Sequence, residues 1–365
     1  MSDTRKVPLA PNEAASNEVW VLGETKSTGE LAGTVFELTA KARELADTLS
    51  SLTGNTHTVK VFLLLDPTFA QSANPKAAAG YGADAVVLVK GKDILFDRAL
   101  CGRALAYFAR TSVPSIILAS ATAFGRSVMP YAAALLETGL TADCTGLSID
   151  PESKRLLQTR PAIGGNIMAT IETPNHRPQM ATVRPRTFRT PEPIPGRSIE
   201  VVNLALPEEL ETPTVETLGF RRFSESEGTL QEKDVVISGG KGLRRAEGFA
   251  LISRLAEILD SFGLPTGVGA TRPVVEMKWI GYPHQVGLSG QVVAPKVYIA
   301  AGISGTVQHL AGMQTAEKIV SINRDPDALV FNVSDIAICG DLYEILPRLI
   351  EKIEKKIAEK KGASR

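Results

Sequence analysis

Short apolar, β-branched runs recur along this chain, and each is separated from the next by enough residues for a helix. In the first half such runs begin at Val19, Val59, Ala85 and Ser115, and apolar residues recur at steps of three and four between the first two. Strands that alternate with helices in this way pair in parallel through right-handed crossovers. The sequence therefore predicts an α/β fold.

Changes in residue composition and pattern divide the chain into four parts. Residues 1–17 mix acids, bases and prolines without an apolar core, which predicts a flexible tail. Residues 18–206 are expected to form an N-terminal α/β domain, in which short strand-like pieces between 142 and 185 make a β-rich extension. Residues 207–233 are polar and acidic and are expected to be a linker, and 234–365 form a second α/β domain with a terminal helix.

Charge and cysteine content exclude several classes of protein. The chain has 40 basic and 40 acidic residues, so no net field attracts it to nucleic acid or to an anionic membrane. Cys101, Cys144 and Cys339 are far apart and form no CxxC pair, which argues against a disulfide framework, zinc or an iron–sulfur cluster. No apolar run is long enough to span a bilayer. We therefore expect a cytoplasmic protein with no metal site.

One stretch of the second domain has the pattern of a nucleotide site. The strand-like run 297–300 passes through Gly302 and Gly305 into a helix-like segment, Thr306 to Met313. A strand that turns through glycines into a helix directs free N–H groups and a dipole at one point, where a phosphate can bind. Two later strands end in polar groups, and ligands bind past the ends of such strands. The stretch therefore predicts half of a dinucleotide site.

Other segments leave alternatives open. Thr271 and Arg272 follow a predicted strand, where Arg272 is either a ligand-binding cation or a surface charge. The GGKG run at 239–242 lacks the spacing and hydroxyl of a P-loop, so nucleotide hydrolysis is not expected. The run 119–126 is either a phosphate cradle or a tight strand-to-helix connection, and His176 is expected to be a surface residue.

Seven motifs, in both domains, carry a resemblance to a known family. They are Ala121–Arg126, Thr159–Ala162, Ser238–Leu243, Val268–Arg272, Gln285–Gly290, Pro295–Met313 and Ile322–Pro326. These motifs resemble those of the electron-transfer flavoprotein alpha subunit. The resemblance implies an N-terminal parallel-sheet domain like the adenine-nucleotide hydrolases, which binds no nucleotide in this family. It also implies a Rossmann-like, doubly wound C-terminal domain that binds FAD.

The resemblance also implies partners. The alpha subunit forms a heterodimer with a beta subunit that carries AMP, or a second FAD in electron-bifurcating members. The complex would accept electrons from acyl-CoA dehydrogenase-type or other flavin dehydrogenases and pass them on. In the alternative, bifurcating role it would also engage NADH and ferredoxin. The sequences of residues 160–169 and 285–290 resemble those of anaerobic bacterial members, which favours the bifurcating role and a location in the bacterial cytoplasm.

The same resemblance assigns roles to individual residues. Arg272 would lie against the isoalloxazine ring, Ser289 would offer its hydroxyl to flavin N5, and His309 would lie near the N1/O2 edge. The remaining expected contacts are Lys241, Ser304, Gly305, Thr306, Val307 and Gln308 for the ribityl–pyrophosphate part, Thr271, Val286, Gly287 and Leu288 for the ring and linker, and Asn323, Asp341 and Leu342 for the adenosine end. Lysine stands at 241 where the family commonly has arginine, and lysine cannot make bidentate phosphate contacts.

These residue types suit electron transfer. Adding an electron to a flavin puts negative charge on its N1–C2=O side, which Arg272 and His309 would stabilise. A unit charge about 4 Å away contributes on the order of 4 kcal/mol at an effective dielectric near 20. Even ~2 kcal/mol raises a one-electron potential by roughly 90 mV. The flavin carries the chemistry, so no catalytic nucleophile or base is expected.

Alternatives of other kinds remain at this point. His309 could instead cap its own helical turn, and Asp341 could be the N-cap of a helix over 342–357. The chain as a whole could be a non-redox adenine-nucleotide sensor that kept the fold and lost the flavin. An NAD-dependent enzyme is a third hypothesis, against which the sequence shows no acid/base pair around a predicted cleft.

Overall fold

Two units make up the chain, Met1–Phe220 and Arg221–Arg365, and each has its own sheet and core. The computed structural model describes residues 15–26, 29–66, 74–92, 94–162, 167–210, 218 and 230–363. The predicted tail 1–17 and linker 207–233 lie mostly outside these residues. The predicted domain limits therefore stay a prediction.

Strands and helices alternate in the first unit, as the hydrophobic pattern predicts. Its strands are β1 (Ser16–Gly23), β2 (Thr58–Leu65), β3 (Ala85–Lys90), β4 (Pro114–Ser120), β5 (Leu140–Cys144), β6 (Gly146–Ile149), β7 (Leu156–Pro161), β8 (Met168–Ile171), β9 (Gln179–Val183) and β10 (Glu200–Ala205). Its α-helices are α1 (Gly33–Thr53), α2 (Arg98–Ser112) and α3 (Ala123–Leu135).

Seven of these strands form one parallel sheet in the order β10-β3-β2-β1-β4-β9-β5. The predicted β-rich extension is the antiparallel sheet β6-β7-β8. The sequence wrongly placed β9 in that extension, because all five of its residues are buried between β4 and β5 in the main sheet. It also missed β10, an edge strand whose residues are half-buried or exposed and therefore lack a strong apolar pattern.

The second unit holds a five-stranded parallel sheet. Its elements are β11 (Val235–Gly239), α4 (Phe249–Ser261), β12 (Thr266–Ala270), α5 (Arg272–Glu276), β13 (Val297–Ala301), α6 (Val307–Leu310), β14 (Lys318–Asn323), β15 (Ile336–Cys339) and α7 (Leu342–Ala363). The strand order is β12-β11-β13-β14-β15. Counted within the unit this order is 2-1-3-4-5, one of the two common orders of doubly wound sheets. The expected doubly wound fold is confirmed.

Each face of this sheet has its own apolar core, because successive side chains of a strand point to opposite faces. On one face, Ile237 and Ile299 pack with residues of α4 and α7. On the other face, Val236 and Tyr298 pack against the segments that contain Val286 and Met313. Among the described residues, loops and short helical turns cover this second face.

One predicted helix is much shorter than expected. The helix-like segment Thr306 to Met313 contains only the single turn α6 (Val307–Leu310). It ends near Gly312, whose backbone packs so closely on Gly287 that a Cβ there would lie 2.5 Å from the Gly287 Cα. The expectation of a helix dipole behind the phosphate seat was therefore wrong, since one turn adds little to a macrodipole.

A longer helix, α7, spans 22 residues with charged side chains along its length. Within the described part of the chain, no helix combines the length and the apolar character needed to cross a bilayer.

Candidate functional site

The loops that follow β11, β12 and β13 lie at the carboxyl edge of the second sheet. The strand order reverses between β11 and β13, and ligands of doubly wound proteins bind past the strand ends at such a point. Two of these loops approach each other closely: a Cβ on Gly242 would lie 2.5 Å from the Gly302 Cα, and Gly302 has a φ of +64°. Gly242 N–H also donates to the Gly302 carbonyl (2.9 Å). At this switch point, where the strand order reverses, the backbones of the loops after β11 and β13 are therefore in direct contact.

Beside this point is a cleft of about 470 Å³, built by the loops after β12 and β13 and the loop 285–291. Nine of the predicted site residues line it: Thr271, Arg272, Val286, Gly287, Leu288, Ser289, Thr306, Gln308 and His309. The volume lies within the range of ordinary small-molecule and cofactor sites. Segments far apart in sequence thus meet at the place that the motifs indicate.

Arg272 is the first residue of α5, directly after the end of β12. Its Nε donates to Oε1 of Glu276 at 2.7 Å, one helical turn further on. Both side chains line the cleft and are largely exposed, at 65% and 59%. Sequence reasoning missed Glu276, although the i,i+4 spacing of opposite charges was a usable signal. The positive charge at this edge is therefore partly compensated by a carboxylate.

Ser289 lies in the loop between β12 and β13, and two neighbours orient it. Gln285 Nε2 donates to Ser289 Oγ at 3.0 Å, and Tyr282 Oη donates to the Ser289 carbonyl at 3.0 Å. Because the hydroxyl oxygen accepts from the amide, its own proton stays available as a donor. Gln285 is buried and was missed as an orienting residue.

His309 is buried at the base of the cleft, with both ring nitrogens on protein partners. Nδ1 lies 3.1 Å from the Val286 carbonyl oxygen, and Nε2 lies 3.0 Å from the Tyr298 hydroxyl. Burial lowers the pKa of His309 to about 4, so the ring is neutral at pH 7. The ring does not cap its own turn. In this arrangement it offers neither a positive charge nor a free N–H to the cleft.

The two loops that carry Val286 to Ser289 and Thr306 to His309 are joined directly. Leu288 N–H donates to the Gln308 carbonyl at 2.8 Å, beside the His309–Val286 contact. Gly287 adopts a φ of +140°, which favours glycine, and touches Gly312. These contacts make one continuous wall of backbone on that side of the cleft.

Seven predicted residues of the pyrophosphate and adenosine parts lie outside the cleft lining, and five of them lie around the ends of β11, β13 and β14. Lys241 and Ser304 are exposed, Gly305 is buried with a φ of +87°, and Val307 is exposed. The Asn323 side chain donates to the Ile303 carbonyl (2.8 Å) and accepts from Asp325 N–H (3.0 Å). Asn323 therefore shapes the loop after β13.

Asp341 and Leu342 lie at the start of α7. Asp341 Oδ1 accepts from Tyr343 N–H at 2.9 Å, so the predicted alternative of an N-cap is confirmed. That hydrogen bond, with Arg324 and Arg244 nearby, lowers the pKa of Asp341. Its Oδ2 lies 3.2 Å from Arg244 Nη2 and 3.6 Å from Arg324 Nη2. Leu342 is buried in the core.

The alternative phosphate cradle in the first unit is a packed connection. Thr122 Oγ1 accepts from Gly125 N–H (3.1 Å) as the N-cap of α3 and donates to Glu24 Oε1 (2.6 Å). A Cβ on Gly125 would lie 1.9 Å from the Ser120 carbonyl oxygen, so the loop is tightly filled. The arrangement favours the strand-to-helix connection, and His176 is exposed as predicted.

The residues of the cleft fit the ring of a flavin. The Ser289 hydroxyl, the Arg272 cation and the backbone of the loops surround a volume of suitable size. At Gly287 and Gly312 the backbones are so close that a side chain would not fit between them.

Comparison with known proteins agrees with the predicted family. Residues 19–209 match the electron transfer flavoprotein domain, and residues 229–314 match the electron transfer flavoprotein FAD-binding domain. The chain is 39% identical to the electron transfer flavoprotein subunit alpha of Thermoanaerobacterium thermosaccharolyticum, over 93% of this chain and 98% of the relative. It is 37% identical to the same subunit of Megasphaera elsdenii (93% and 96%).

A third relative is subunit LctC of the lactate dehydrogenase (NAD(+),ferredoxin) of Acetobacterium woodii, which is 38% identical over 89% of this chain and 74% of the relative. With two matched domains and relatives of this similarity along nearly the whole length, the chain belongs to the electron-transfer flavoprotein alpha subunit family.

Proposed function

We propose that this chain holds one FAD, with the isoalloxazine ring in the cleft of the second unit, and forms a heterodimer with an electron-transfer flavoprotein beta subunit. The heterodimer accepts electrons from a flavin dehydrogenase of the acyl-CoA dehydrogenase type and passes them to a further acceptor. The observation that carries the proposal is the convergence of Arg272, the free Ser289 O–H and a backbone wall at the carboxyl edge of a doubly wound sheet.

The roles of the cleft residues follow from their contacts. FAD supplies the electron-transfer chemistry when it is bound, and the protein sets its environment. Arg272 would supply a cation that favours negative charge on the ring, and its hydrogen bond to Glu276 holds the guanidinium along α5. Ser289 would offer its hydroxyl proton to the ring, because Gln285 Nε2 already donates to its oxygen.

The remaining predicted contacts belong to the rest of the cofactor. The exposed side chains of Lys241 and Ser304 follow β11 and β13, and those of Thr306 and Gln308 line the cleft. A pyrophosphate beside them would be stabilised by N–H groups and a cation. Their neighbours Gly305 and Val307 complete this loop. Asn323, Asp341 and Leu342 border the adenosine end mainly by holding the loops and α7 in place.

A bifurcating complex is a second candidate function, favoured by one relative. The LctC relative is named as a subunit of a lactate dehydrogenase that uses NAD(+) and ferredoxin. In this version the beta subunit holds a second FAD in place of AMP, and the complex couples NADH, ferredoxin and a dehydrogenase.

Flavin stoichiometry tests the proposal and separates the two candidates. The chain is co-expressed with its beta partner, and the purified complex is denatured so that released FAD and AMP can be quantified by chromatography. One FAD with one AMP per heterodimer supports the simple carrier, and two FAD support bifurcation. A colourless complex that binds ATP would refute both and support the nucleotide sensor.

Arg272→Ala provides the residue-level test. In the loaded complex this variant should have a lower midpoint potential than the parent, because the cation beside the ring is lost. An unchanged potential in a fully loaded variant would place the ring elsewhere.

A further inference from the structure

A pair of hydrogen-bonded aromatic side chains is buried beneath the cleft. Tyr298 is the second residue of β13 and is completely buried in the core on that face of the sheet. Its hydroxyl lies 3.0 Å from His309 Nε2, and the two rings are 6.1 Å apart. On the far side of the imidazole, Nδ1 lies 3.1 Å from the Val286 carbonyl oxygen. His309 thus connects Tyr298 in β13 with Val286 in the wall of the cleft.

These contacts determine where the protons lie. A carbonyl oxygen can only accept, so Nδ1 carries a proton and donates it to Val286. A neutral imidazole has one N–H, so Nε2 is the acceptor and the Tyr298 hydroxyl is its donor. Burial in the apolar core favours the neutral ring and also raises the pKa of Tyr298, which keeps the phenol protonated.

The surroundings of His309 contain few charges. The charged side chains that line the same cleft are Arg272 and Glu276, both on α5 and paired with each other. Tyr298 faces the ring from β13 and is the other titratable neighbour. Among the cleft-lining residues, Arg272 and His309 are the ones that can carry positive charge. Whether His309 is charged therefore matters for the field in the cleft.

We propose that Tyr298 is a positioning residue that fixes His309 as the neutral Nδ1–H tautomer and, through it, anchors the Val286 carbonyl and the loop that carries Ser289. Tyr298 touches no cleft ligand itself and acts through His309. The ring then contributes no positive charge, and Arg272 alone supplies the cation among the cleft-lining residues. The tautomer is assigned from contacts within the protein. Its effect on the midpoint potential of a bound flavin rests on the proposed function.

Nitrogen-15 NMR of histidine-labelled full-length protein tests the assignment. The chain has four histidines, so a His309→Gln variant identifies the resonances of His309. In the parent we expect a protonated Nδ1, an unprotonated Nε2 and no titration between pH 8 and pH 5.5. An Nε2–H tautomer, or an imidazolium at pH 7, would overturn the proposal without any further variant.

Tyr298→Phe tests the role of the hydroxyl. Loss of the donor to Nε2 destabilises the neutral ring, so the titration midpoint of His309 should rise by at least about one pH unit, a tenfold change in proton affinity. Tyr343→Phe is the matched control, because it removes a hydroxyl that donates to the Leu243 carbonyl elsewhere in the same unit. A Tyr298→Phe spectrum that matches the control would refute the proposal.

The flavin-loaded complex gives a second measurement. In the parent and in Tyr343→Phe, His309 should add nothing to the slope of midpoint potential against pH between pH 5.5 and 8. In Tyr298→Phe the slope should steepen toward low pH, because His309 then becomes a positively charged imidazolium beside the flavin ring. If the complex holds no FAD, the proposed function fails while the NMR result still decides the role of Tyr298.

Discussion

Replacing Glu276 by glutamine removes a negative charge from the cleft and keeps a side chain of the same length. The amide oxygen of glutamine can still accept from Arg272 Nε, which lies 2.7 Å from Oε1 in the parent. The position of the guanidinium should therefore change little, while the carboxylate that opposes negative charge on a bound flavin is lost. We expect the midpoint potential of the loaded heterodimer to rise.

The size of the shift follows from Coulomb's law and from exposure. Two unit charges about 7 Å apart interact by about 2 kcal/mol at an effective dielectric of 20, and by about 0.6 kcal/mol at the dielectric of water. For one electron these energies correspond to roughly 100 and 25 mV. The Glu276 and Arg272 side chains are 59% and 65% exposed, so solvent screening favours the lower part of that range.

Spectroelectrochemical titration of the complex at pH 7 measures the shift. Arg272→Gln is the opposite perturbation and should lower the potential by a similar amount. Glu257→Gln, an exposed glutamate on α4 that does not line the cleft, is the control for a lost surface charge. Both shifts should shrink at 0.5 M salt, where the Debye length is a few ångströms. A Glu276→Gln potential that is unchanged or lower would refute the electrostatic reasoning.

Substitutions at three other positions have expected outcomes. Ser289→Ala should lower the potential of the loaded complex, because the hydroxyl donor is lost, and Ser289→Thr should restore it; unequal loading of the two variants would have to be excluded by FAD quantitation. Asp341→Ala should lower the melting temperature of the second unit by a few degrees, and Asp341→Asn should recover most of that loss, since asparagine also caps the Tyr343 N–H. Burial raises the pKa of the Glu24 carboxyl to about 7, above its value in the unfolded chain. The protonated carboxyl therefore stabilises the folded first unit at pH 4.5, and this stabilisation is lost as the pH rises through 7. Glu24→Gln, which keeps an acceptor for Thr122, should therefore stabilise the first unit at pH 8 by roughly 2 kcal/mol and have little effect at pH 5, as measured by denaturant unfolding.

The sequence predicted those parts of the fold that depend on local patterns. The apolar stripe from Val35 to Leu52 lies on α1, and the β-branched runs became the buried strands of both parallel sheets. Features that depend on contacts distant in sequence were missed. The pairing of β9 with β4 and the early end of α6 at Leu310, just before Gly312, both result from tertiary packing, which no local window contains.

The candidate site shows the same division. The resemblance indicated which loops form the cleft, and nine of those residues line it. It did not indicate that Glu276 partners Arg272 or that Tyr298 occupies His309 Nε2. The second contact joins β13 to a residue of α6 that is eleven positions later in the chain, and its existence depends on how β13 is buried in the sheet.

The direct backbone contact between Gly287 and Gly312 has a consequence for how a ligand enters. With no side chain between them, the segments on either side cannot slide apart without breaking the hydrogen bond from Leu288 N–H to the Gln308 carbonyl. This flank of the cleft is therefore rigid before any ligand arrives, so binding there costs little conformational entropy. Adaptation to the incoming molecule falls instead to the exposed side chains of Arg272 and Glu276 on α5, which also line the cleft.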